Sequence, residues 1–299
     1  MKLNIIKNTK LWFTFSGSVL ALSLLSLMFF GLNLSSDFVP GNLFELRFEK
    51  TVNPQELSTT LSQITEPSLG NVEVKGASTG SLIVKTKKLT ETESDKVLAT
   101  LKQSFGNMEI VQQRSVSPIF AQTFKSRAVM ALLLATIAII LYIAFAFRKV
   151  SRGISSWKLG VSAIIALVHD ITITLGIFAI LGKFAGVEID ALFITALLTI
   201  MGFSVHDTIV VFDRSRENLA HKSREESFAD VAEKSLHQTM ARSINTSLST
   251  LIVLGSLLIF GAPSIFWFVL ALVVGIIVGT YSSIFIASAI LVLWQKKQS

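Results

Sequence analysis

The chain has 299 residues, of which 51% are hydrophobic and 16% charged, and it carries a formal charge of +7. Its mean hydropathy is +0.62, and its apolar residues fall in blocks too long for a soluble core, which marks a polytopic membrane protein. The absence of cysteine excludes disulfides, thiolate metal sites and cysteine redox chemistry. The basic residues flank the apolar blocks, where membrane topology accounts for them without a nucleic-acid partner.

Apolar runs long enough to cross a bilayer occur at 11–32, 128–147, 159–181, 191–212, 247–260 with an upstream extension, and 265–294. Trp12, Trp157, Trp267 and Trp294 fall at or near the ends of these runs, as expected for amphipathic rings in the headgroup layer. Lys2, Lys7 and Lys10 precede the first run, and Arg148, Lys149, Arg152 and Lys158 join the second and third. Arg214, Arg216, Lys222, Arg224 and Lys234 join the fourth and fifth, and Lys296 and Lys297 close the chain. The opposite connections hold only Lys183, so both termini are expected in the cytoplasm. The expected organisation is a cytoplasmic tail 1–10, a first transmembrane helix 11–32, an extracytoplasmic (periplasmic) domain 33–127, and a five-helix transmembrane region 128–299 with its cytoplasmic loops and tail. The first run exceeds a signal-peptide core and no A-x-A-like site follows it, so it is expected to remain a span.

Residues 33–127 mix charges of both signs with short periodic segments. "LFELRFEK" (43–50) alternates as a strand, and "NPQELSTTLSQIT" (53–65) opens on Asn and Pro with helical spacing at Leu57, Leu61 and Ile64. "NVEVKG" and "SLIVKTKKL" read as strands joined through "ASTG", "TETESDKVLATLKQSFG" (90–106) as a capped helix, and "MEIVQQRSV" as a further strand. The β-α-β-β-α-β order predicts a small α+β ferredoxin-like domain. That fold hosts many functions, and no residue pair in it suggests a hydrolytic or metal site, so a docking or chain-contacting module is expected.

Ionisable groups inside the spans point to function, because each costs a few kcal/mol unless it faces a bundle interior, a cavity or a partner. In "GFSVHDTIVVFDR" the fourth span carries His206 and Asp207, with Asp207 about 24 Å from Ala191 along the helix. Arg242 lies about 27 Å from Phe260 if the fifth span is one helix, so the two charges reach similar depth and are placed to pair. Arg242 shares a helical face with Asn245, Thr246, Ser249 and Ser256. Thr195, Thr199, Gly202, His206 and Asp213 form one stripe, with Asp207 about 100° round from His206, and the spacing alone does not choose between the neighbours. "LVHDITIT" adds His169 and Asp170 near mid-depth in the third span. "GIIVG" places Gly275 and Gly279 as a close-packing motif in the sixth. An intramembrane enzyme is not expected, since the spans show no paired catalytic aspartates, H-E-x-x-H or Ser-His arrangement. No catalytic residue, cofactor or metal ligand is assigned.

The six spans, the single domain after the first, "ALVHDITITLG" in the third, "GFSVHDTIVVFDRSREN" ending the fourth and "ARSINTSLSTL" entering the fifth together resemble the SecF family, subunits of the bacterial SecDF protein-translocation accessory complex in the RND superfamily. The resemblance covers essentially the whole chain. It implies a six-helix RND-type half that works with SecD, the SecYEG channel, YajC and a translocating preprotein. It further implies residence in the bacterial cytoplasmic (inner) membrane and use of the proton motive force. By the same match Asp207 and Arg242 are the residues tied to proton movement, and His169 and Asp170 are the family's His-Asp pair. The family commonly has Asn where this chain has His206, which makes that imidazole a secondary candidate. "SSDFVPG" is similar to a GIDFTGG-like segment: Asp37, Phe38 and Gly41 match, while Ser35 and Pro40 replace glycines. A rival reading, half of an RND-type small-molecule or ion exporter, would favour a larger outer domain, a second six-span half in the same chain and a substrate pocket.

Overall fold

The computed structural model describes residues 4–70, 72–76, 80–148 and 156–296. Lys2, Lys149, Arg152 and Lys297, and most of the "ASTG" turn, lie outside the described residues. The chain forms two compact units, Leu34–Val129 and Met1–Asn33 with Met130–Ser299.

After α1 (Thr9–Phe30), the smaller unit runs β1 (Gly41–Phe48), α2 (Pro54–Gln63), β2 (Glu73–Gly76), β3 (Leu82–Thr86), α3 (Glu91–Phe105) and β4 (Met108–Val116). The sheet order is β2-β3-β1-β4 with antiparallel neighbours, the split βαβ arrangement. Side-chain caps start both helices. Asn53 accepts from the Gln55 amide ahead of Pro54 in α2, and Thr90 and Glu93 form a reciprocal capping box in α3. Phe44, Leu46, Leu82 and Val84 on the strands meet Leu57, Leu61, Val97 and Leu101 on the helices, so each element buries one face.

β1 begins two residues earlier than the alternation suggested, because its start is held by polar ties. Asn42 is buried, donates to Ser94 Oγ (3.1 Å) and accepts from the Leu89 amide (3.3 Å) and Ser115 Oγ (3.0 Å). At the other side of the sheet, β4 is an edge strand, and its residues from Glu109 to Ser115 are exposed.

The larger unit contains α1, the greater part of α4 (Pro118–Ala146), α5 (Ser156–Ala185), α6 (Ala191–Ala220), α7 (Phe228–Phe260), α8 (Phe266–Ser282), a π-helical turn (Ser283–Ala287) and α9 (Ser288–Lys296). Six helical stretches are long and apolar enough to span a membrane, the last running from α8 through α9. α5, α6 and the last span form the interior of the bundle, whereas α4 and α7 bury little of themselves within the chain. α7 is one helix of 33 residues. At about 50 Å it outreaches a hydrocarbon core of about 30 Å.

Hydrocarbon removes the hydrophobic drive between helices, so close approach depends on small residues. A side chain at Gly176 of α5 would overlap Ser23 of α1, and Ser26 donates to the Gly176 carbonyl (2.9 Å). A side chain at Gly275 of α8 would overlap Ile200 of α6, and Gly279 sits against Ser204. These contacts bring α1 onto α5 and α8 onto α6, and with them the polar groups described next.

Candidate intramembrane polar site

The face of α6 turned into the bundle carries Ile200, Met201, Ser204, Asp207, Thr208 and Val211. Asp207 is 2% exposed, while His206 is exposed together with Thr195, Thr199 and Gly202. The helical period therefore turns the neighbours to different sides, the carboxylate inward and the imidazole outward. Asp207 turns toward Ser243 and Ser247 of α7. One of its carboxylate oxygens and the Ser243 hydroxyl are nevertheless buried without a hydrogen-bond partner. Ser247 is instead paired with Thr280 of α8 (2.6 Å).

Arg242 does not meet Asp207. The two helices pack, but Ser243 occupies the inward position and Arg242, about 100° away, is exposed along with Asn245, Thr246, Ser249 and Ser256. No ion pair joins Asp207 to Arg242 among the described residues. The exposed sides of α6 and α7 thus mix apolar residues such as Leu248 and Ile252 with polar ones, among them the Arg242 guanidinium and the His206 imidazole, groups that are costly where they face lipid.

Asp170 on α5 contrasts with Asp207, since both its oxygens are engaged. Oδ1 takes the His169 Nδ1 contact (2.8 Å), and Oδ2 accepts from Ser204 of α6 (2.6 Å) and Ser282 of α8 (2.7 Å). His169 Nε2 is hydrogen-bonded to Ser16 of α1. Ser283, in the π turn, continues the network to Thr208 (2.9 Å), next to Asp207 in sequence. Three helices therefore meet on one carboxylate, and His169 links a fourth, α1, to it. Such a fully connected buried network is favourable where a partly satisfied one is costly.

The contact of Ser16 with His169 corrects the expectation that no Ser-His arrangement lies in the spans. The two residues are 153 positions apart, and a serine inside an apolar run carries no signal of its own. Ser16, His169 and Asp170 form one hydrogen-bonded chain inside the bundle. Ser16 lies mid-helix in α1, and it and His169 border a groove of about 470 Å³ whose other walls are mostly apolar, among them Leu20, Leu24, Ile164, Val168 and Ile286, with Thr172.

In the smaller unit, Phe38 is buried against Phe124, with ring centroids 5.2 Å apart. Gly41 is required because a Cβ there would overlap the Thr86 carbonyl oxygen. Asp37 sits in the turn just ahead of Phe38, where its backbone N–H donates to the Ser35 hydroxyl oxygen (3.2 Å). Phe38 and Gly41 thus fix how the chain enters β1.

Residues 96–297 match the family described as "Protein export membrane protein SecD/SecF, C-terminal". The chain belongs to the SecD/SecF family. Among its relatives, the protein translocase subunit SecF of Thermobaculum terrenum is 45% identical over 280 residues, covering 91% of this chain and 87% of the relative. The protein translocase subunit SecF of Sebaldella termitidis is 36% identical over 298 residues, covering 99% of this chain and 93% of the relative. The crystal structure of SecDF, a translocon-associated membrane protein from Thermus thermophilus, superposes with a TM-score of 0.84 at 32% identity over 99% of this chain. SecDF in its super-membrane-facing form gives a TM-score of 0.67 at 30% identity over 100% of it. This chain spans 39% of either SecDF chain, so those family members hold a large further portion that has no counterpart here. The fold is thus the predicted six-helix membrane protein with one small α+β domain.

Proposed function

We propose that the chain is the SecF-type half of a two-part accessory machine for protein export. It works beside SecD at the SecYEG channel, with YajC and the translocating preprotein, in the bacterial cytoplasmic membrane, both termini in the cytoplasm. Protonation of Asp207 is the step that couples the proton motive force to movement of the bundle. Arg242 contributes from the face that SecD covers, and the His169-Asp170 pair holds the helices against which Asp207 moves. No cofactor takes part.

The observation that supports this most is the split between the two faces of α6 and α7. Inside, Asp207 carries an unengaged oxygen beside an unengaged serine; outside, Arg242 and His206 wait at membrane depth for a surface other than lipid. A carboxylate with spare hydrogen-bonding capacity can gain or lose a proton and rearrange its contacts, and a second polypeptide accounts for the outer face. The test is export into membrane vesicles with and without a proton gradient, at equal insertion and equal SecD association. Asp207→Asn and Arg242→Met should each lose the gradient-dependent part, and normal stimulation in both would reduce them to packing residues.

A further inference from the structure

The segment ahead of α1 is seated in the bundle at the end where α6 joins α7. Ile5 is fully buried, and its side chain plugs a pocket made by Val211 of α6, Leu236 of α7 and Ile284 of the π turn. The backbone is gripped as well. Both carboxylate oxygens of Glu233 on α7 accept from consecutive amides, Ile5 N–H at 2.8 Å and Ile6 N–H at 2.6 Å. His237, one turn on, lies 3.2 Å from the same carboxylate, and the Trp12 indole donates back to the Ile5 carbonyl (3.2 Å). Trp12 in turn packs on Phe285, with centroids 4.3 Å apart, and its carbonyl accepts from the Tyr281 hydroxyl (3.2 Å).

Such a clamp is more than a tidy chain end. Amides ahead of a helix have no partner in its ladder and are ordinarily left to water, yet here one side chain takes two of them. An isoleucine wedged between three elements cannot stay seated unless those elements keep their spacing. α6 carries Asp207, α7 carries the serines it faces, and the π turn carries Ser283, which bonds Thr208. Turns of this kind concentrate at functional sites because one extra residue lets a helix change register.

We infer that residues 4–8 are an intramolecular strap whose seating on Glu233 and between Val211, Leu236 and Ile284 holds α6, α7 and the π turn in the arrangement described here, and whose release accompanies the alternative arrangement. The inference rests on the proposed role of Asp207, because it is the displacement of α6 against α7 that opens the pocket. Linkage then works in both directions: whatever favours seating of the strap favours this arrangement, and a change at Asp207 alters how firmly the strap is held by the same factor.

Hydrogen exchange in the full chain with its partner, in membranes opened so that both faces are accessible, tests this without altering the strap. The amides of Ile5 and Ile6 should exchange at least about ten-fold slower than an exposed amide, and Glu233→Ala should abolish that protection. Glu233→Gln, which keeps one carbonyl oxygen, should retain part of it. Asp207→Asn should change the protection by about five-fold or more. As a second measurement, the chain has no other thiol, so Ile5→Cys should react with a maleimide far more slowly than Lys7→Cys. Unprotected amides in the unaltered chain, or equal thiol rates, would overturn the seat. Protection that Glu233→Ala leaves intact would remove Glu233 from it, and protection indifferent to Asp207→Asn would overturn the coupling. Failure of the proton reading shows elsewhere, as gradient-driven export that survives Asp207→Asn.

Discussion

Asp207 faces Ser243, and Arg242, the residue before that serine, points out of the bundle. One step of helix thus divides a buried carboxylate site from an exposed face that we propose the partner covers. The roles proposed for Asp207 and Arg242 can be separated by experiment.

Because Arg242 is exposed and makes no ion pair among the described residues, Arg242→Met should leave thermal stability of the purified chain within about 0.5 kcal/mol. The same substitution should sharply reduce gradient-dependent export once SecD is present. Parallel melting curves and export assays make the comparison, and a strongly destabilised Arg242→Met would show that the residue serves the fold.

His206 and Asp207 are neighbours with opposite surroundings. His206→Asn, which keeps a neutral hydrogen-bonding group on the outer face, should retain most gradient-dependent export, while Asp207→Asn should abolish it. Measured side by side at equal expression, the reverse outcome would assign the coupling to the imidazole.

Asp170 ties α5 to α6 and α8 and, through His169, to α1, so its loss should register as stability before it registers as activity. Asp170→Ala strands the His169, Ser204 and Ser282 groups together and should cost about 3 kcal/mol. Asp170→Asn retains one acceptor oxygen and should cost less. Unfolding in detergent, followed by loss of helical signal, distinguishes the two.

Glu93 offers a pH test in the smaller unit. Hydrogen bonds from the Thr90 backbone and side chain, in that order, hold its carboxyl below the usual carboxylate range. A group whose folded pKa is lowered stabilises above its unfolded value and loses that contribution as pH falls through the folded one. Protection of the first amides of α3 from hydrogen exchange, corrected for intrinsic rates, should therefore decline on acidification below the ordinary Glu value. Glu93→Gln should flatten the dependence.

The spans and the order of elements in the smaller unit were legible because each leaves a local trace: long apolar runs, alternation between turn residues, and caps such as Asn53 and the Thr90-Glu93 box. The inward residue of α6 was not. In a soluble helix the apolar stripe marks the buried face, but a span is apolar all round and the contrast disappears. The polar stripe through His206 then reads as the interior when it is the outer face. The depth of Asp207 and Arg242 was readable from the rise per residue, yet their facing depends on one residue of phase. Ser16, Ser204 and Ser282 left no trace, because a hydroxyl in an apolar run commonly bonds its own helix. Only the fold brings them to Asp170. Residues 4–8 read as a basic flank, and nothing local marks Ile5 as a plug.

The exposure of Arg242 also bears on how much of this protein a cell can hold. A copy without its partner keeps a guanidinium about 27 Å in from Phe260, toward the far edge of a hydrocarbon core of about 30 Å, and it relieves the cost by snorkelling or by letting α7 slide toward the surface. Either response strains how the unpartnered copy sits in the bilayer and would make it a better substrate for membrane proteases. Abundance is then set by the scarcer half of the pair, and overproduction of this chain alone should shorten its lifetime rather than raise its level.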